Sequence, residues 1–335
     1  MATITVWMNV WEAVLLIINA ILAIILNCVI VYLVIHVRSL RSSFNTTIVN
    51  ASVADIIVSL NILISTIDII SENGKSISNM VWCDFTGFIN LISFVASVMS
   101  LAAVSINRYV LVCKSQLYGE LFTQTGTAVY IFLVWFISAL LSCHLSLVGQ
   151  DFLITRVSPS ASPTGSSKSY MLFMIFICFC GPITATLVTL FLIVRTKRKT
   201  EASLAGQYTG SPRDISPATM LANRRARRNE KSERQITLSI VLVVFVFFVA
   251  WGPFVIVMFL DVFGDNKVPR WLDMGSFLFG CFNSTANPVV YISVNRNFRR
   301  AVRQKLGLTS SVGLSPSSRA QNSVVGSKPA FVVRT

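Results

Sequence analysis

The chain has 335 residues, 54% of them hydrophobic and 13% charged, with a mean hydropathy of +0.69; a soluble domain carries about a quarter charged residues. Its net charge of +14 would bring nucleic acid to mind, but the basic residues stand between charge-poor runs of bilayer-crossing length, so the charge reads as membrane topology. Two histidines and seven scattered cysteines with no CxxC pair exclude a metal centre of the His/Cys kind.

A bilayer core takes about 20 apolar residues per helix, and the chain offers seven such runs. The fold class is therefore an all-α membrane protein, a seven-transmembrane helix bundle with a short amphipathic surface helix after span seven. The expected spans cover about 13–37, 43–70, 80–112, 127–148, 170–195, 234–260 and 270–294. Residues 1–12 contain no Lys or Arg and no small-residue cleavage site, so they are expected to be a short extracellular amino terminus rather than a signal peptide. With that end outside, every Lys and Arg except Lys75, Arg156, Lys168, Lys267 and Arg270 falls on the cytoplasmic side, as the positive-inside rule requires.

Taken in order, span one contains Asn27 and span two contains Asp55. Span three carries Asn90, Phe94, Ser97, Leu101, Val104 and Arg108 at spacings of three and four, a single stripe on one helix face. After span four comes the Ser- and Pro-rich segment 149–169, expected outside. Pro182 interrupts span five. The basic segment 196–233 is expected to be a cytoplasmic loop, and Trp251-Gly252-Pro253 should bend span six, because proline removes a backbone donor inside a helix. After span seven, residues 295–306 place Phe298, Ala301, Val302 and Leu306 on one helical face and arginines on the other, the pattern of a helix lying on the membrane surface. The composition of 307–335 predicts a disordered cytoplasmic tail.

Polar groups inside hydrocarbon each need a partner. At 1.5 Å per residue, Asp55, Ser97, Asn27, Asn283, Ser284 and Asn287 fall in one layer, a third to halfway up from the inner surface. They read either as interhelical hydrogen-bond glue or as oxygen ligands for a small hard cation, Na+ at Asp55. No other cofactor is expected.

These residues together resemble the rhodopsin-like (class A) G-protein-coupled receptors, across about residues 13–306. The resemblance rests on Asn27, Asp55 within NASVAD, Cys83 standing 25 residues before Arg108, Trp135, Pro182, Trp251-Gly252-Pro253, Asn287-Pro288-Val289-Val290-Tyr291 and Phe298. INRYVLVCKSQLYGELF and WLDMGSFLFGCFNSTANPVVYISVNRNFR are similar to melatonin-type receptors in particular. Cys178, Leu145 and Pro288 depart from that subgroup.

The resemblance implies a receptor, not an enzyme, in the plasma membrane with its carboxyl terminus inside. It implies a heterotrimeric G protein as partner, with arrestin, a receptor kinase and membrane lipid as others. Asn107-Arg108-Tyr109, Glu233, Trp251, Pro253, Asn287, Pro288 and Tyr291 would form the activation switch, with Glu233 pairing Arg108 at rest. Asn107 stands where the family usually has aspartate, which leaves that pairing to lean on Glu233. Asn90, Phe94, Phe254, Phe277 and Cys281 would line the ligand pocket. Asn90 in place of an amine-gripping aspartate favours a neutral or lipophilic small molecule, melatonin-like or otherwise, with a short peptide as alternative. Cys281 in place of a lysine excludes an opsin. The family's bridge from Cys83 to the second outer loop finds no cysteine in 149–169, and Cys143 is the nearest conceivable partner. A secondary transporter is the rival reading, but neither internal repeats nor paired broken helices appear.

Overall fold

The computed structural model describes the backbone of residues 2–71, 80–148, 172, 175–207, 217–264 and 268–307, and side chains over 10–67, 85–143, 172, 175–199, 234–261, 263–264 and 268–307. Helix α1 covers Ala2–His36, and a 3-10 turn at Arg38–Leu40 leads into α2, Ser43–Ser71. Then follow α3 (Met80–Cys113), the short α4 (Ser115–Leu121) and α5 (Gln124–Val148). A π-helical turn at Ile175–Cys180 runs into α6 (Gly181–Gln207), and α7 (Pro217–Phe263), α8 (Arg270–Val294) and α9 (Arg296–Lys305) complete the chain. Spans one to seven are thus α1, α2, α3, α5, α6, α7 and α8. No strand occurs among the described residues, as hydrocarbon demands, since only a helix or a closed barrel satisfies its own backbone there.

Among the described residues, six helices contain stretches long and apolar enough to cross a bilayer: Val10–His36, Ser43–Ile67, Phe85–Cys113, Gln124–Cys143, Ile175–Lys199 and Arg234–Asp261. The seventh expected span, α8, has 25 residues, about 37 Å of helix, but is more polar. The reason is visible in its packing: Ser276, Asn283 and Asn287 are buried against other helices, so its polar face never meets lipid.

Helix α3 is central and touches α2, α4, α5, α6 and α7, while α8 packs between α7 and α1. One apolar core runs through the bundle, from Ile30 and Ile48 through Val95, Val98 and Val104 to Phe247, Tyr291 and Phe298. Outward-facing Phe132, Phe136, Phe191 and Phe245 supply the apolar belt a membrane protein presents to lipid. The expected cytoplasmic loop 196–233 is shorter than its composition implied: α6 continues to Gln207 and α7 begins at Pro217. Pro253 is inside α7. Pro182 follows the π-helical turn of span five, a wide turn of the kind that breaks helical regularity.

Helix α9 buries Phe298 and Ala301 and turns its arginines outward, although Leu306 at its end is exposed. Asn295 caps it, accepting from Asn297 N at 3.0 Å, and Gly307 ends it with φ +68°, a conformation glycine adopts at no steric cost. The Phe298 ring is fully buried and its centroid lies 6.4 Å from that of Tyr291. Phe298→Ala should lower unfolding stability by about 3 kcal/mol, the usual cost of emptying a buried phenylalanine site, read as a lower unfolding temperature of the purified protein.

Candidate functional site

The polar layer is assembled around the buried Asp55 carboxylate. Ser97 Oγ donates to Oδ1 at 2.5 Å and Ser284 Oγ to the same atom at 3.3 Å. Asn287 Nδ2 donates to Oδ2 at 3.1 Å. Asn27 joins from α1, its Nδ2 donating to the Ala23 and Ser284 carbonyls at 2.9 Å each. One acid therefore ties α2, α3 and α8 together. The Oδ1 atoms of Asn27, Asn283 and Asn287 are buried without a hydrogen-bond donor. A carboxylate beside orphaned amide oxygens is an acceptor-rich set that fits a small hard cation. No cluster of three or more His, Cys, Asp or Glu occurs among the described residues, so a transition-metal site has no such ligands there.

Above this layer lies a cavity of about 360 Å³. It is lined by every expected pocket residue, Asn90, Phe94, Phe254, Phe277 and Cys281, and also by Asp55, Ser97, Asn283 and Ser284. The aromatic pocket and the polar layer thus share one space. Trp251 stands between them, its ring centroid 4.9 Å from Phe94 and 5.5 Å from Phe254, both edge-on. Phe254 in turn lies 5.8 Å from Phe277. The indole is held on its other side by Gly280, where an added Cβ would lie 2.8 Å from Cε3. Trp251 Nε1 and Asn90 Oδ1 are sealed from solvent and have no hydrogen-bond partner.

At the opposite end Arg108 is 3% exposed and its guanidinium lies 4.8 Å from the Phe44 ring centroid, a cation–π distance. Asn107 is fully buried and accepts from the Tyr118 hydroxyl at 3.5 Å. Tyr118 belongs to α4 and stacks on Phe122 at 4.8 Å. Burial holds its phenol above the ordinary value, with Arg108 and Asn107 pulling the other way, so at neutral pH it keeps the proton it donates. Tyr109, next in the chain, is partly exposed. Tyr291 is buried in the core and Pro288 lies inside α8.

The family model for the seven-transmembrane receptors of the rhodopsin family matches residues 26–291. The chain belongs to that family. It is a G-protein-coupled receptor, not an enzyme, and crosses the membrane several times. The receptor is 26% identical over 309 residues to melatonin receptor type 1A of Ovis aries, covering 89% of this chain and 78% of that one. It is 26% identical over 302 residues to melatonin receptor type 1C of Gallus gallus, covering 88% and 81%. The crystal structure of squid rhodopsin superposes with a TM-score of 0.73 at 21% identity, covering 97% of this chain and 93% of that one, which shows the shared fold.

Two expectations concern undescribed side chains. Cys83 lies on α3 and Glu233 on α7, with both side chains outside the described residues. Cys143 is a free thiol.

Some contacts of the receptor were not foreseen. Trp135 Nε1 donates to Asn50 Oδ1 at 2.8 Å, and Asn50 Nδ2 donates to Ser100 Oγ at 2.8 Å. This relay ties span four to spans two and three. Thr285 Oγ1 likewise donates to Asn19 Oδ1 at 2.7 Å. Asp273 lines the cavity as well. A depth calculation on Asn50 and Asn19 would have flagged both, since every amide inside a span needs a partner. Gly280 and Tyr118 carry no sequence signal that reveals their neighbours.

Proposed function

We propose that the receptor binds a small, lipophilic, melatonin-like molecule in the cavity between Asn90 and Trp251 and answers by opening its Arg108 end to a heterotrimeric G protein. The observation that carries this reading is the single cavity joining aromatic residues to the Asp55 layer. A ligand that shifts Trp251 there changes the packing of α7 against α8, and those helices lead down to the Arg108 end. Span six is the element that moves outward, because Pro253 leaves its ladder one bond short. The amino terminus faces outside and the basic end faces the cytosol of a plasma membrane, where arrestin, a receptor kinase and anionic lipid meet the tail and α9. The relatives' names make melatonin the first molecule to try. G-protein turnover by receptor in lipid discs, with Arg108→Ala as control, tests the reading; no response to melatonin or to a library of neutral lipophilic compounds would count against it.

Asp55, Ser97, Ser284, Asn283 and Asn287 would hold Na+. The ion would supply a positive charge that neutralises the buried carboxylate. The residues themselves do the rest: Asp55 binds the hydroxyl groups of spans three and seven, and Asn287 orients the carboxylate. Asp55→Asn keeps the shape and removes the charge. It should abolish any sodium dependence of the unfolding temperature while leaving the fold intact, measured by thermal unfolding across a sodium–choline series.

A further inference from the structure

Arg108 is a buried charge at the inner end of α3, and a charge taken out of water must be met by opposite charge, dipoles or a polarisable group. Its chain neighbours are Asn107 and Tyr109, so no carboxylate stands next to it in sequence. The guanidinium does meet the ring of Phe44, its central carbon 4.8 Å from the ring centroid. Arginine suits such a contact, because its planar, weakly hydrated cation stacks on aromatic faces. Arg108 has a further interaction besides this one, and the aromatic face adds to it.

The ring is held in place from both sides. Phe44 is buried at the second position of α2. Before it, Ser43 Oγ donates to the Phe122 carbonyl at 2.7 Å; after it, Asn45 Nδ2 donates to the Leu40 carbonyl at 2.7 Å. Phe122 closes α4, and Tyr118 of that helix donates to Asn107 Oδ1. The start of α2, the end of α3 and the whole of α4 are therefore pinned together where ring and cation face each other. Phe44 belongs to span two, whereas the opening toward a G protein is the work of span six. A guanidinium seated on Phe44 is drawn toward α2.

We propose that the face of Phe44 is the resting seat of Arg108, a cation–π hold from span two whose strength sets how much receptor opens without ligand. This rests on the reading that the Arg108 end opens to a G protein. The seat is separate from any pairing with Glu233, which would come from a different helix, so activation has to release the arginine from an aromatic face as well as from an acid.

Aromatic attraction differs from packing in one respect that an experiment isolates: it depends on the electron density of the ring face. Fluorine withdraws that density with little change of shape. Position 44 is given phenylalanine, 4-fluoro-, 3,5-difluoro- or 3,4,5-trifluorophenylalanine by stop-codon suppression in the full-length receptor in lipid discs. Cyclohexylalanine supplies a saturated ring of similar bulk. Ligand-free G-protein turnover should climb with each fluorine, reaching about three- to tenfold at the third, the population shift that a hold of this kind can produce. Cyclohexylalanine should match or exceed that rise. Turnover at saturating agonist should stay within about twofold, because the open form has already left the seat. The unfolding temperature of the ligand-free receptor should fall along the same series, and stay level in Arg108→Met, which keeps a long side chain without the charge. A fluorine effect that persists in Arg108→Met would mean that the ring acts by packing alone, and overturns the proposal. Ligand-free turnover that stays level across the series, in a receptor that still answers agonist, overturns it too and spares the G-protein reading. An Arg108-dependent fall in unfolding temperature, in a receptor that drives G-protein turnover under no condition, would support the seat and sink that reading instead.

Discussion

Valine in place of Gly280 is expected to silence agonist-driven signalling and to destabilise the receptor by about 1–3 kcal/mol, the usual cost of forcing volume into a packed interior. The cause is steric and local. A Cβ at this position would come within 2.8, 2.9 and 3.0 Å of three indole carbons of Trp251, and no real contact of that kind is so short. The fused ring is rigid, so it must turn as a unit, away from α8 and into the cavity. There it takes the space between Phe94 and Phe254 that a ligand needs. Agonist binding and turnover should both fall at least tenfold at equal surface expression. Combining Gly280→Val with Trp251→Leu should restore much of the lost stability, because the smaller side chain yields the space. The two changes are in contact, so their effects should be strongly non-additive in a double-mutant cycle. Additive losses would mean that the close approach of Gly280 to the indole has no energetic role.

The second large effect belongs to the other end of α3. Arg108→Ala should reduce agonist-stimulated G-protein turnover at least tenfold while ligand affinity stays within about threefold, since the arginine is remote from the cavity. Asn107 offers a finer test. It is buried, uncharged and accepts from Tyr118, so Asn107→Asp should keep that bond and place a carboxylate beside Arg108. The resting arrangement gains an ionic partner, and a gain of about 1.4 kcal/mol shifts a two-state population tenfold. Ligand-free turnover should therefore fall in Asn107→Asp and rise in Glu233→Ala. Unchanged basal turnover in both variants, at matched expression, would remove the lock from the account.

The architecture was legible because hydrocarbon permits so little. Charge-free runs, the depth of Asp55 and the stripe on span three follow from helix pitch and the cost of burying polar groups, and the hydrogen bonds converging on Asp55 have the same origin. Pairwise detail was less legible. Asn50 and Trp135 lie 85 residues apart, and nothing in either neighbourhood names the other. The extension of α6 and α7 into the basic segment 196–233 was less legible, because the Gly-, Ser- and Pro-rich composition around 208–216 signals a loop although the chain is helical up to Gln207 and from Pro217. Span seven was expected as a charge-poor run of spanning length with Asn283, Ser284 and Asn287 in the polar layer, and its polar residues do serve the bundle interior, not lipid.

That last point bears on how the receptor is made. A segment carrying Asn283, Ser284, Thr285 and Asn287 within little more than one turn gains little from partitioning alone out of the translocation channel. Its entry into the bilayer should wait for α1 and α2, whose Asn19, Asn27 and Asp55 offer the matching hydrogen bonds. Span seven is then recruited by the spans already in place, so a loss of the hydrogen bonds at Asp55 would be felt only once this segment has been made.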